Sequence, residues 1–425
     1  SARRSLLLHA DLNNFYASVE CLRHPELRDG PLAVCGDPEQ RHGIVLAKNY
    51  PAKAYGVSTG EAVWQAKQKC PGLRLVKPDM PTYLRFAQGV RQIYRRYTDW
   101  IEPFGLDEAW LDLSDCGSLE AGRDLADRIR RDIAFEWGIT ASVGVADNKV
   151  FAKLGSDMKK PDATTVLFPS QYRQKVWRLP VGELLYIGPA TTRKLYNLGL
   201  YTIGDLAQAD AALLSGLLGK WGLTLHRYAN GLDASPVARD GARDPVQSIG
   251  NSTTTPRDLT TCQEVRITLQ ALCESVAARL REGGFRARTL QLGVRDKQLF
   301  WLTRQCKLES PSCLAEELFE AAYGLFVKHY RWEQPIRSLG VRADDLLSRE
   351  SAVQLDLFCR QAKRLRQEAL ETTVDGLRKR FGYYALQRAS QLSDPSLGRL
   401  NPKDDHVAYP GGYSPMSAEV KRRDL

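Results

Sequence analysis

Three carboxylates stand where carboxylates are costly. Asp11 follows the apolar run LLLHA, and Asp107 and Glu108 lie early in the stretch EPFGLDEAWLDLSD (residues 102–115), whose residue types predict a β-strand. Strand interiors disfavour Asp, and a buried carboxylate needs a positive partner or a metal. Residues 5–10 also read as a buried strand. In a mixed sheet two strand ends almost a hundred residues apart can lie side by side. Carboxylates brought that close require a cation between them or a shared proton. All-oxygen ligation suits Mg²⁺, with Mn²⁺ as a substitute, because such an ion takes few protein carboxylates and leaves positions for substrate phosphates. Two ions about 4 Å apart would activate a hydroxyl and stabilise the leaving group of an in-line displacement. The plain alternative is a surface Asp–Glu pair and an unrelated strand-end Asp, and the rest of the chain has to decide.

The elements needed to position these acids are legible around them. A helix over 12–22, strands at 32–36 and 43–48, helices near 60–69, 81–99 and 118–135, the strand ITASVGVA (139–146) and a helix over 148–158 predict an α+β fold rather than a doubly wound one. From about 170 the texture becomes helical, with repeated glycine turns. Residues 236–247 read as a linker rich in Pro, Gly and charge. Strand and helix signals return over 248–345 as two β-α-β halves, and a basic helical stretch to about 390 precedes a polar end.

At 425 residues the chain predicts two to four domains. Sixty basic against fifty acidic residues give a net charge of +10, which favours a polyanionic partner. The nine cysteines form no CxxC pair and the six histidines stand apart from them, which argues against a zinc site and for free thiols in a reducing cytoplasm. No segment reaches the ~18 apolar residues of a membrane helix, so no membrane association is expected.

Five motifs in order, DLNNFYASVE (11–20), AKNYPAKAYGV (47–57), GLDEAWLDLS (105–114), ASVGVADNKVFAKLGSDMKKPD (141–162) and LYIGPATTRKLYNLGLYTIGDL (185–206), resemble those of the Y-family, translesion DNA polymerases, near the bacterial polymerase IV branch. The resemblance implies a right-hand architecture: a ferredoxin-like palm (1–23 and 79–167), small fingers (24–78), a helix-hairpin-helix thumb (168–235), an α+β little finger (248–345) and a tail (346–425). It implies that Asp11, Asp107 and Glu108 hold two metal ions, assisted by the carbonyl of Leu12. The reaction implied is attack of a primer 3′-hydroxyl on a dNTP, without proofreading. Tyr16 falls at the steric gate against ribose, with Phe15 beside it. Tyr50, Lys53 and Lys160 fall at the triphosphate. Lys53 stands where this branch usually has Arg and resembles the polymerase V catalytic subunit. Asn13 replaces an Asp and is not expected to ligate. Gly105 stands where a Ser commonly precedes the acidic pair.

The resemblance also implies primer–template DNA as partner. Glycine turns at Gly188 and Gly199 would let backbone N–H groups approach phosphates. Eight basic residues against two acids over 279–307, among them Arg286, Arg288, Arg295, Lys297 and Arg304, would grip the duplex with strong salt dependence. Gln354, Leu355, Leu357 and Phe358 match the peptide that binds the bacterial sliding clamp (the β subunit). Residues 359–390, with eight basic and three acidic residues, suggest an added DNA or partner contact. The polymerase is expected to be monomeric. A nucleotidyl cyclase on a related palm and an inert DNA-binding scaffold are the rival classes. The thumb glycines and clamp peptide argue against the first, and the intact acids against the second.

Overall fold

The apolar run at the start of the chain is buried along its whole length because it becomes the central strand of a sheet. The computed structural model describes residues 5–36, 43–242, 245–351 and 360–398. They fall into two units, one of residues 1–36 and 44–243, the other beginning at residue 244.

The first unit runs β1 (Leu7–Leu12), α1 (Phe15–Arg23), β2 (Leu32–Cys35), β3 (Val45–Lys48), α2 (Tyr50–Ala54), α3 (Val63–Lys69), β4 (Arg74–Val76), α4 (Met80–Tyr94), β5 (Ile101–Pro103), β6 (Glu108–Asp112), α5 (Leu119–Trp137), β7 (Ala141–Ala146), α6 (Lys149–Met158) and β8 (Thr164–Val166). The main sheet has the order β5-β6-β1-β7-β8, with β1 antiparallel to both neighbours and β7 parallel to β8. A second sheet, β3-β2-β4, packs on α2 and α3 through Ala33, Val45, Ala52 and Ala66.

Two boundaries differ from expectation. The first strand runs on to Leu12, so Asp11, expected to end it, lies one residue inside it. The stretch 102–115 is two strands, β5 and β6, separated by a tight bend that contains Asp107. Pro103 has no N–H for the ladder, and Phe104 donates its N–H to the Glu108 carbonyl at 2.9 Å, which folds the chain back.

Helix α6 lies unusually close to the sheet. A Cβ on Gly144 of β7 would sit 1.9 Å from the Ala152 carbonyl oxygen and 2.4 Å from the Ser156 nitrogen, so only glycine admits this approach. Asn148 caps α6, its Oδ1 accepting from Phe151 N at 2.9 Å. The helix is thereby fixed in height and in rotation.

Five further helices follow: α7 (Tyr172–Lys175), α8 (Pro189–Tyr196), α9 (Ile203–Gln208), α10 (Ala211–Leu218) and α11 (Lys220–Ala229). Leu184, Leu195, Leu206 and Leu225 from this segment join one buried cluster with Leu7, Trp110, Val150 and Phe151. The helical segment therefore shares a core with the back of the sheet.

The second unit is β9 (Ser248–Leu259), α12 (Cys262–Gly283), β10 (Phe285–Asp296), β11 (Trp301–Ser312), α13 (Ala315–His329), β12 (Ile336–Ser348) and α14 (Arg360–Phe381). Its sheet, β11-β10-β12-β9, is antiparallel throughout. Leu290, Leu292, Val294, Leu339 and Val341 face α12 and α13. The alternate residues of β10, Thr289, Gln291, Gly293 and Arg295, form the other face. They share it with Lys307, Gln305, Thr303 and Trp301 of β11 and with Arg342 and Gly340 of β12.

Helix α14 docks on this unit by charge. Glu371 and Asp375 hold the Arg281 guanidinium at 2.5 and 2.7 Å, and Glu368 reaches Arg286 and Arg349. Arg364 forks onto Glu317, while Arg378 and Arg388 meet at Glu274. The tail helix is thus a built part of the second unit, and its acids and several of its arginines are spent inside it. Arg281 has a side chain only 6% exposed. Removing one partner of a buried pair costs several kcal/mol. Glu371→Ala is expected to lower the stability of the second unit by about 3 kcal/mol, read from faster amide exchange in α12.

Among the described residues all eight cysteines are free, and no helix is long and apolar enough to cross a membrane.

Candidate active site

Asp11 of β1 pairs directly with Glu108 of β6. Asp107 precedes Glu108 in the bend, and its carbonyl accepts the Leu12 N–H at 2.9 Å. The three acids and Leu12 therefore meet at one end of the central strands. Asp11 is 8% exposed.

Lys160, expected at the triphosphate, and three residues that the sequence did not single out, Lys153, Asp157 and His9, complete the cluster. The Lys153 ammonium, presented by α6, lies 3.1 Å from Asp11 Oδ2, 2.6 Å from Glu108 Oε2 and 3.2 Å from Asp157 Oδ2. Lys160 lies 3.0 Å from Asp11 Oδ2 and 2.9 Å from Asp157 Oδ1. His9 is fully buried two residues before Asp11. Its Nδ1 is 2.9 Å from Ser156 Oγ and its Nε2 faces Glu108 Oε2 at 3.4 Å. That last separation exceeds a well-formed hydrogen bond, so we treat it as an electrostatic contact.

Charge dominates this site. Burial, then the negative charges of Asp11 and Glu108, push the Asp107 carboxyl up to about 7. Burial also raises Glu108, but His9 and Lys153 outweigh it and hold that carboxyl down at about 2. Burial depresses Lys153, and Asp11, Glu108 and Asp157 together more than reverse it.

Among the described residues no three ligating side chains already close on one point as a metal cage; the lysine ammonium lies between Asp11 and Glu108. The donor set nevertheless fits a hard divalent cation. Asp11, Asp107 and Glu108 offer only oxygen. Four carboxylates, with Asp157, face two ammonium groups; with Asp107 pushed up to about 7 and only partly ionised near neutral pH, the cluster is short of positive charge by between one and two.

Asn13 has a different task. Its amide donates to Ser142 Oγ and accepts from Thr140 Oγ1 and the Asp162 N–H, each at 2.9 Å. An aspartate could keep the first of these bonds only with the Ser142 hydroxyl reversed to donate. Gly105 leaves a narrow space behind the acids, since an added Cβ would lie 3.3 Å from Asp107 Oδ1.

Beside the acids is a cationic patch. Burial depresses the Lys48 ammonium, and the like charges of Lys53 and Lys160 add to that effect. Lys48 was not anticipated, although it sits two residues before Tyr50 in a motif already noted. Lys53 is exposed, with its ammonium 5.9 Å from the Tyr50 ring centre. Burial raises the Tyr50 hydroxyl, and the charges of Lys160 and Asp11 both reach it.

Tyr16 is half-buried at the start of α1 and stacks on Tyr83 of α4, centroids 4.4 Å apart and planes 12° off parallel. The Tyr83 hydroxyl donates to buried Glu20 at 2.5 Å. Phe15, expected against the nucleotide, is only 3% exposed and packs on Tyr16 and Tyr83. It braces the gate position from within the core.

Gly188 caps α8 and Gly199, at φ +75°, ends the turn after it. Nothing lies within 4 Å of a Cβ built at either, so both backbones are open. The basic residues of the second unit divide. Arg295 stands on the open sheet face, its guanidinium 5.5 Å from the centre of the Trp301 ring, with Lys307 and Arg342 on the same face. Lys297, Arg288 and Arg304 are exposed. Arg286 is captured by Glu368 at 3.2 Å. The expected basic surface therefore loses Arg286 to α14. The stretch carrying Gln354, Leu355, Leu357 and Phe358 lies outside the described residues.

An acid cluster at the end of a β6-β1-β7 core, a cationic patch beside it and a separate four-stranded unit define a class already known from other chains. Residues 10–157 match the impB/mucB/samB family, and residues 246–357 match the C-terminal domain of that family. The chain belongs to this family, the Y-family of DNA-directed DNA polymerases. Among its relatives, the DNA polymerase IV of Acetivibrio thermocellus is 51% identical over 398 residues, 93% of this chain and 100% of that one. The DNA polymerase IV of Pelotomaculum thermopropionicum is 38% identical over 93% of this chain and 98% of its own. A solved structure, the Y-family DNA polymerase chimera Dbh-Dpo4(243-245)-Dbh, superposes with a TM-score of 0.71 at 25% identity, covering 81% of this chain and 99% of that one.

Proposed function

We propose that this polymerase extends primer 3′ ends on damaged and undamaged templates by metal-assisted phosphoryl transfer, as a monomer tethered to a sliding clamp. The main sheet acts as palm, residues 24–78 as fingers, residues 168–235 as thumb and residues 248–345 as little finger. The observation that carries the reading is the register of Asp11 with Glu108, with Asp107 at the adjoining bend.

Asp11, Asp107 and Glu108 hold two Mg²⁺ ions, with the Leu12 carbonyl assisting. Bound there, the metals supply charge neutralisation and an acidified hydroxyl. The protein's own part is positioning. Tyr50, Lys53 and Lys160, joined by Lys48, receive the triphosphate, lysines acting as point charges rather than bidentate clamps. Tyr16 closes the space under the sugar. The backbone at Gly188 and Gly199, the open sheet face with Arg295, Lys307 and Arg342, and exposed Lys297 beyond β10 bind phosphates without reading sequence.

The test is extension of a labelled primer with dNTPs and Mg²⁺, with and without chelator, on intact and abasic templates. Metal-dependent extension that falls steeply with salt is expected. A cyclic nucleotide product, or none, would replace this reading. Added sliding clamp should lengthen the products, and Phe358→Ala should remove that gain.

A further inference from the structure

We propose that Lys153 is the resident counter-cation of the metal site: its ammonium holds Asp11 and Glu108 in their ligating arrangement before metal enters, and Asp157 is the seat to which it withdraws. The inference rests on the metal reading above.

The geometry points three ways from one atom. Lys153 Nζ contacts Asp11 Oδ2 and Glu108 Oε2 from opposite strands, which is the bridging position a ligated cation needs. It also contacts Asp157, one helical turn further along α6, at 3.2 Å. The lysine therefore already touches its alternative partner and needs only a rotamer change to transfer its weight there. The Asp157 side chain is 40% exposed and accepts Lys160 on its other oxygen, so it can hold charge without burying it. The helix backbone cannot follow, because α6 rests on Gly144 with no clearance. Motion is thus confined to the side chain.

Without a cation, Asp11 and Glu108 would repel across the strand pair. Lys153 prevents this, and in doing so competes with metal. Asp157 lowers the cost of its departure by offering a second carboxylate. The two residues therefore act on metal affinity with opposite signs and are coupled: Asp157→Asn should weaken Mn²⁺ binding in wild type but have little effect in a Lys153→Met background, whereas simple Coulomb attraction would give the same Asp157→Asn loss in both backgrounds.

The experiment uses the full chain on a dideoxy-terminated primer–template with the matching dNTP, so that no bond can form. Bound Mn²⁺ is measured by electron paramagnetic resonance, and melting is followed without metal. Lys153→Met keeps the apolar stem and removes the charge. It should lower the metal-free melting temperature yet tighten Mn²⁺ binding roughly tenfold. Asp157→Asn, at a partly exposed position that should fold normally, should weaken Mn²⁺ binding by about the same factor. Equal Mn²⁺ affinity in wild type and both variants, with Asp11→Asn losing the ion, would overturn the proposal and leave the metal site standing. Binding unchanged in Asp11→Asn as well would overturn the metal reading itself.

Discussion

Asp11→Asn is expected to abolish nucleotide addition while leaving DNA binding in place. Asn is nearly isosteric, so the β1 register should survive. What disappears is a negative charge that two ammonium groups share at 3.1 and 3.0 Å. With the charge gone, one of three oxygen-donor acids no longer attracts metal, and Lys153 and Lys160 lose a partner. Phosphoryl transfer depends almost wholly on positioning and charge neutralisation. Losses of at least about 10³-fold in single-turnover rate are the scale for removing such a group. DNA affinity should change little, because the Gly188 and Gly199 backbone and the second unit, proposed above to hold the DNA, are untouched. A variant that extends primers within tenfold of wild type would remove Asp11 from the metal site.

Tyr16→Ala should shift sugar selectivity. Tyr16 cannot swing away freely, since it lies flat on Tyr83, whose hydroxyl is tied to buried Glu20. A fixed ring excludes a 2′-hydroxyl by contact, and one atom group against a firm wall is worth about 1–3 kcal/mol. Removing the ring should raise ribonucleotide incorporation relative to deoxyribonucleotide by roughly ten- to a hundredfold. The readout is kcat/KM for matched rNTP and dNTP pairs, with the dNTP value falling only modestly. Unchanged selectivity would place the gate elsewhere.

Which parts of this were legible in the chain depends on the range of the interaction. The meeting of Asp11 with Glu108 followed from two strand ends carrying acids, because strand pairing is the commonest way to unite such segments. The two β-α-β halves of the second unit followed from alternation and turns. Lys153 was not legible, since a lysine on a helix reads as solvated. Its role depends on how close α6 approaches β7, which the missing side chain of Gly144 decides. The resemblance puts Phe15 beside the gate and against the nucleotide, but the path of α1 turns it into the core. Helix α14 defeats the amphipathic rule. Its charged residues Arg364, Glu371, Asp375 and Arg378 face inward, while Leu370 and Phe381 are 56% and 62% exposed. Arg286 was misplaced for the same reason, because its partner Glu368 lies on that helix.

The sheet order has a consequence for how the enzyme is made. β1 is made well before its two hydrogen-bonding neighbours, which begin at residues 108 and 141, and Lys160 lies further on. At about 5–20 residues per second, roughly ten to thirty seconds pass before the last contributor is synthesised. Until β6 is made an apolar strand destined for the centre of a sheet has both edges open, and until β7 is made it still has one. Every partner it needs is distant in the chain, which also slows closure. A chain broken before residue 108 therefore carries β1 with neither neighbour to cover it. Nascent or truncated forms should be bound by chaperones through LLHADL, the same segment that in the finished protein carries Asp11.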